Sequence, residues 1–176
     1  MEQIDKTRSL VQQIAGGKMP YEICIRPPLY RVALRDTGST YTDDTSTQYR
    51  EWQSYIPLAS ASLCIDMNLA EHLTGTLPVN LGFIIEKEYV DRLDCCVPPE
   101  GVELNPLLCL YTIISGSDDE LDEPNRIQPA MKWIADNGYA LDGQIVTQMI
   151  ATFDAGDGMK RYDKAWFPIK SIAAHT

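Results

Sequence analysis

Basic clusters, paired metal ligands and long apolar runs are all missing from this 176-residue chain, and each absence closes a route. Lysine and arginine number 15 against 25 acidic residues, for a net charge of −10. The basic residues nowhere form the clusters that hold a phosphate backbone, so direct nucleic-acid binding is not expected. An acidic body modestly favours cationic ligands instead. No apolar run approaches the roughly 18–20 residues that span a bilayer. The opening MEQIDKTRSLVQQIAGG is charged and lacks the apolar stretch of a signal peptide, so a cytoplasmic location is expected and a membrane is not. His72 and His175 lie far apart, and the five cysteines (Cys24, Cys64, Cys95, Cys96 and Cys109) contain no CxxC pair. Zinc requires clustered ligands at short spacings. The thiols therefore read as buried structural groups, with no metal and no cofactor.

What is present is the profile of one globular domain, or of two small halves sharing a core: 44% hydrophobic and 23% charged. Residues 2–15 carry Ile4, Thr7, Val11 and Ile14 at helical spacing and stop at Gly16-Gly17. So short a helix is marginal alone. It either packs on its own domain or forms the tail of a longer dimerisation coil. The stretch 21–36 alternates as a strand interrupted by Pro27-Pro28, and residues 43–56 read as a helix. Residues 57–80 are the least legible, with a possible strand at SLCIDMNL. NLGFIIEKEY, RLDCCVPPEG and PLLCLYTIISGS then read as strands, and SDDELDEPN after them as an acidic loop. IQPAMKWIADNGYAL is a helix with Ile127, Met131, Trp133, Ile134 and Ala135 on its apolar side, stopped by Asn137-Gly138. QIVTQMIATFD and the final strand close the chain.

An internal repeat emerges. PLYRVALRDTGS (28–39) and PLLCLYTIISGS (106–117) superimpose without gaps, and each precedes a helix with one tryptophan, Trp52 or Trp133. Two strands follow in each case, the second ending in proline: LDCCVP (93–98) and DKAWFP (163–168). The expected fold class is α+β. Two pseudo-symmetric strand-helix-strand-strand repeats form a curved antiparallel sheet, with helices on one face and a ligand cleft between the repeats.

The last strand sharpens this. In YDKAWFPIK, alternation separates Asp163, Ala165 and Phe167 from Tyr162, Lys164 and Trp166. The first row suits a helix-covered core. The second is too polar for a core and too aromatic for a plain surface, and suits the wall of a small-molecule cleft. In the matching strand of the first half, Cys95 and Val97 take the core side and Asp94 and Cys96 the other.

The stretch WIADNGYALDGQIVTQMI…MKRYDKAWFPIK resembles the second half of the gyrase-inhibitor-like small-molecule-binding domain, the effector-binding domain of AraC-type and MerR-type bacterial regulators. The matching positions are Trp133, Asn137, Gly138, Tyr139, Asp142, Gly143, Trp166, Pro168, Ile169 and Lys170. YEICIRPPLYRVALRDTGS resembles the opening of the first repeat. The resemblance covers roughly residues 20–171. It implies an effector-binding domain over 18–176, with repeat one near 20–100 and repeat two near 104–171, after an N-terminal helix at 1–17.

It further implies a sensor of lipophilic or aromatic, often cationic, compounds within a MerR-type multidrug regulator. Such a regulator is a homodimer through its coil and reaches DNA only through a helix-turn-helix that this chain does not carry. A stand-alone gyrase-inhibitor-like protein that sequesters or hydrolyses toxic compounds is the alternative. The family's frequent pocket acids fall on Lys164 and Thr147, and its frequent tyrosine on Met149, so a cation has no assured carboxylate partner there. Asp94 or Glu86 could substitute, and Trp166 and Tyr162 could offer π faces. The expected ligand-binding set is Trp166, Tyr162, Lys164, Met149, Thr147, Asp94, Glu86 and Trp52. No catalytic residue is assigned. A Lys164 of depressed pKa is the one candidate base or nucleophile. A purely protein-binding role fits less well, because the acidic residues are spread along the chain.

Overall fold

The computed structural model describes residues 20–36, 52, 54–56, 58–67, 75–95, 97–117, 119–154, 156 and 158–172. The expected helix at 2–15 and most of that at 43–56 lie outside them. Nine strands are found among the described residues. They are β1 (Glu22–Arg26), β2 (Leu29–Asp36), β3 (Ser60–Ile65), β4 (Val79–Glu86), β5 (Val102–Leu104), β6 (Leu107–Ser117), β7 (Tyr139–Leu141), β8 (Ile145–Asp154) and β9 (Met159–Ser171). All ladders are antiparallel, in the order β1-β6-β9-β8-β3-β4-β2-β5, with β7 added beside β9.

Two ladders decide the shape. β1 pairs with β6 at one end of the order and β2 with β5 at the other, yet only Pro27-Pro28 separates β1 from β2 and only Asn105-Pro106 separates β5 from β6. Arg26 faces Leu107 and Leu29 faces Leu104, so one register passes straight through the gap. The prolines, which have no N–H to donate, interrupt the ladder without shifting it. This two-stranded ribbon bends the sheet back on itself. Its middle is closed by a short seam between β3 and β8, where Cys64 faces Val146 and Ile65 faces Ile145.

The sheet has a helix-covered face and an inner face. Helix α1 (Lys87–Leu93) follows β4, and helix α2 (Gln128–Asp136) follows a 3-10 turn at Pro124–Arg126. Pro129 suits the first turn of α2, where its missing N–H costs nothing. Ile127, Ala130 and Ile134 pack with Leu110, Ile145, Ala165, Phe167 and Ile169. Ala165 and Phe167 thus lie under α2 as alternation demands, while Ala135, expected on the apolar side, is exposed. Trp133 lies between Tyr21 and Tyr139, stacked at 5.8 and 6.5 Å. On the same face of the other end, Trp52 packs with Val32, Ala59, Phe83, Ile85 and Val90.

One expected strand is corrected. Among its described residues LDCCVP (93–98) forms no strand: α1 runs to Leu93, and Asp94 closes it with a left-handed backbone at φ 50°. The strands that pair with β2 are β4, which ends before the helix at Glu86, and β5, which follows the 93–98 stretch. Cys95 and Val97 pack against the core cluster that contains Val32, on the core side that the sequence assigns them.

Candidate ligand-binding face

Register fixes which side chains share the inner face. On β9, Trp166 lies between Tyr111 of β6 and Val146 of β8. Lys164 lies between Ile113 and Gln148, and Tyr162 between Ser115 and Ala151. The indole of Trp166 is 6.1 Å from the Tyr111 ring, tilted by 49°. It joins a cluster with Leu29 and Ile84, from β2 and β4, and with Cys109 and Val146, from β6 and β8. Trp166 therefore meets residues from both ends of the sheet, and only 5% of it is exposed. Tyr162 is buried at the edge of the row, stacked on Phe153 at 5.0 Å, with the Lys160 ammonium 5.8 Å from its ring. Lys164 is half-buried.

The other expected residues do not all join them. Thr147 and Met149 face Ala165 and Asp163 across the β8–β9 ladder, which puts them on the helix-covered side. Thr147 is fully buried; its hydroxyl accepts from Leu63 N–H at 3.0 Å and donates to Asp163 Oδ1 at 3.3 Å. Met149 is half-buried, with Sδ 3.4 Å from the Thr152 hydroxyl. Trp52 is a core residue of the same covered face, 2% exposed. Asp94 stands exposed at the end of α1. Glu86, opposite Leu29, takes the parity of the inner face and is half-buried at its edge.

Asp163, expected on an apolar row, is the hub of a buried polar network instead. Arg161 reaches it through Nε (3.0 and 2.9 Å to the two oxygens) and Nη2 (2.7 Å), and Arg126 Nη2 reaches it at 2.8 Å. Gly116 makes room for Arg126: a β-carbon there would lie 2.9 Å from its Cγ.

Two residues absent from the expected set, Arg26 and Arg31, also lie on the inner face, 5% and 7% exposed. Arg31 donates from Nε to Ser62 Oγ (3.2 Å) and from Nη2 to the Asn80 carbonyl (2.7 Å). Its guanidinium lies over Gly82, where a β-carbon would sit 2.8 Å from Nη2. Arg26 donates from Nη2 to the Asn105 carbonyl at 2.9 Å, and its Nε has no acceptor. The signal for them lies in YEICIR, where β1 buries Cys24 and Arg26 in part or whole while Ile23 and Ile25 stay 41% and 60% exposed. That inverts the usual sidedness of a strand.

Burial dominates the titration of this face. It pushes the Cys109 thiol up to about 11 and the Tyr111 phenol to about 12, and it raises Cys64 and Cys24 as well. It also lowers both arginines, chiefly by desolvation. Cys64 is an electrostatic neighbour of both guanidinium groups, and Cys109 of Arg26. Where the β3–β4 edge meets the seam, a cavity of about 350 Å³ is lined by Cys64, Asn80, Asp36, Asp66 and Gln144 among others. Among the described residues, no three of His, Cys, Asp and Glu converge as a metal site would need.

Architecturally this is an α+β, mostly antiparallel domain of the kind found at the C-terminus of EcmrR. The crystal structure of that C-terminal domain matches with a TM-score of 0.50 and 17% identity, covering 86% of this chain and 98% of its own. EcmrR in a cryo-electron-microscopy structure of an EcmrR-DNA complex matches with a TM-score of 0.51 and 13% identity, covering 95% of this chain. This chain spans 64% of the length of that EcmrR chain. At such identities the likeness is one of fold. No family model and no curated protein sequence matches. No helix among the described residues is long and apolar enough to cross a membrane.

Proposed function

We propose that this chain is the small-molecule-sensing part of a MerR-type transcription regulator, binding its effector on the inner face of the sheet between two related halves. The observation that carries this reading is Trp166: a large indole on a strand whose other row is already committed to α2, enclosed by side chains from both ends of the sheet. The pairing supports a duplication. β2 pairs with β4, which pairs with β3; β6 pairs with β9, which pairs with β8; the two sets meet at β3 and β8. β1 against β6 then corresponds to β5 against β2. Trp166, Tyr162, Lys164 and Glu86 form the proposed contact set from the sequence. Thr147 and Met149 act from behind the sheet, by holding its register.

Binding without chemistry is the proposed mode, in the cytoplasm and within a homodimer formed through residues 1–17. An effector acts on such a dimer only by different affinities for two states. DNA contact through a helix-turn-helix domain of the regulator, and not through the residues of this chain, belongs to this proposal too, as does any multidrug range. A gyrase-inhibitor-like protein that sequesters small compounds would use the same face.

The test is a thermal-shift screen with lipophilic cations, anions and neutral aromatics, on the wild type and on Trp166→Phe. A stabilising compound whose effect is weakened by Trp166→Phe supports the reading. An intact fold that no compound in any class stabilises would sink it.

A further inference from the structure

The charge of the effector can be read from the four buried arginines. Arg126 and Arg161 lie on the helix-covered face and both reach Asp163, which is the buried carboxylate among the described residues. Arg26 and Arg31 lie on the inner face, and neither is within 4.0 Å of a carboxylate of any described residue. An ionised group taken out of water without a partner is strongly unfavourable, and arginine does not escape by losing its proton. A chain with 25 acidic residues thus leaves two cations buried on its proposed ligand face with only neutral acceptors.

Carboxylates do stand near that face, at its margins. Glu86 is opposite Leu29, two rungs from the Arg31–Ile84 pair, and Glu22 is exposed at the far end of β1. Asp36 and Asp66 line the cavity at the strand ends, where they accept from Asn80 Nδ2 and Gln144 Nε2, each at 3.1 Å. The cations are inside and the acids at the rim.

We propose that the inner face binds an aromatic or lipophilic organic anion, its acidic group held by Arg26 and Arg31 and its apolar body laid against Trp166 and Tyr111. The two parts of the site adjoin: Cys64 and Cys109, the thiols beside the guanidinium groups, belong to the same apolar cluster as Trp166. Guanidinium offers paired N–H donors that match a carboxylate or sulfonate. Gly82 leaves Arg31 the room to lie flat on the sheet, rather than extend to solvent. This inference rests on the inner face being a ligand site, and it reverses the cationic preference suggested by the overall charge.

Three matched probes separate the two claims: 1-naphthaleneacetate, 1-naphthaleneacetamide and 1-naphthylmethylammonium, titrated calorimetrically into the whole chain. The anion should bind at least tenfold tighter than the amide. Arg26→Gln and Arg31→Gln should each remove that advantage while changing amide affinity less than threefold. Added salt should weaken the anion only modestly, because the pair is buried. A second readout needs no ligand: Arg26→Met should leave the melting temperature unchanged or raised, since a buried unpaired charge is removed. Binding of the amide or the ammonium with equal or better affinity than the anion overturns the anionic assignment but keeps the ligand face. Binding of none of the three, with Trp166→Phe also inert, removes both. Loss of the fold in both arginine-to-glutamine variants and in Arg26→Met would make the arginines structural and overturn the inference.

Discussion

At the scale of single residues, the inner face is a place where side chains hold their protons or charges against the pull of water. Cys109 is wholly buried and opposite Cys24 across the β1–β6 ladder. An unfolded thiol releases its proton near 9, whereas burial holds that of Cys109 until about 11. Above pH 9 the folded chain therefore binds more protons than the unfolded one. Stability that is complete below pH 9 is lost as pH rises through that interval, at most about 1.4 kcal/mol per pH unit for one group. Tyr111, shifted from 10 to about 12, extends the loss upward. Urea denaturation followed from pH 8 to 11 should show this decline, and Cys109→Ala should make it shallower. Parallel profiles for the two proteins would mean that Cys109 does not titrate as its burial implies. The thiols are legible in sequence as buried groups, because they carry none of the spacing of ligands. Alternation in YEICIR puts Arg26 in one row with Cys24 but does not say which row faces inward; that, and the inward position of Arg31, follow only from the bend at Pro27-Pro28 and the register with Leu107 and Ile84.

At the scale of elements, alternation along the strands is readable in sequence and pairing between them is not. β9 displays its two rows in sequence, and Ala165 and Phe167 take the side that alternation assigns. Yet sequence groups Thr147 and Met149 with Trp166, although Thr147 faces Ala165 and Met149 faces Asp163. That relation depends on register and on the irregularity between Met149 and Ala151, neither of which one strand's own pattern contains. Helix α1 escapes a sequence reading for a different reason. Seven residues are too few for helical periodicity to stand out, and the apolar run after it mimics a strand. Its end gives a test. Asp94 holds φ 50°, a conformation that glycine adopts without the penalty of a β-carbon. Asp94→Gly should leave stability unchanged or raise it by up to about 1 kcal/mol, with ligand affinity unaffected, if its role is to end α1. Gly138, at φ 77° after α2, offers the mirror experiment, because a β-carbon there would meet only open space. Gly138→Ala should lose about 1 kcal/mol through backbone strain alone. Chemical denaturation of the two variants compares them directly. Weakened probe binding in Asp94→Gly would return Asp94 to the site.

At the scale of the whole molecule, two connections join the ends of the sheet: the ribbon through Pro27-Pro28 and Asn105-Pro106, and the β3–β8 seam. The stretches PLYRVALRDTGS and PLLCLYTIISGS can be matched in sequence, but neither connection can be read there, because both bring together residues far apart in the chain. The seam is the shorter, with two paired positions. It is reinforced by Thr147, whose hydroxyl accepts from the Leu63 amide on β3 and donates to Asp163 on β9. One side chain on β8 thus ties β3 to the Arg126–Asp163–Arg161 network. Thr147→Val keeps the volume and the strand preference but removes the acceptor. It leaves a buried N–H without its partner and Asp163 without one donor, which should cost about 1–3 kcal/mol. If the seam is a local joint, the loss should concentrate there. Amide exchange at Leu63 and its seam neighbours should accelerate about tenfold or more, while amides in the middle of β6 and β9, where the ladders are longest, slow or quicken only with global stability. Equal acceleration everywhere would mean that the two ends of the sheet open as one unit. An effector enclosed by both ends should then oppose the change, restoring protection at Leu63 in proportion to its affinity. Exchange measured with and without bound 1-naphthaleneacetate would therefore tell whether the inner face and the seam are coupled, as a sensor that reports occupancy through the sheet requires.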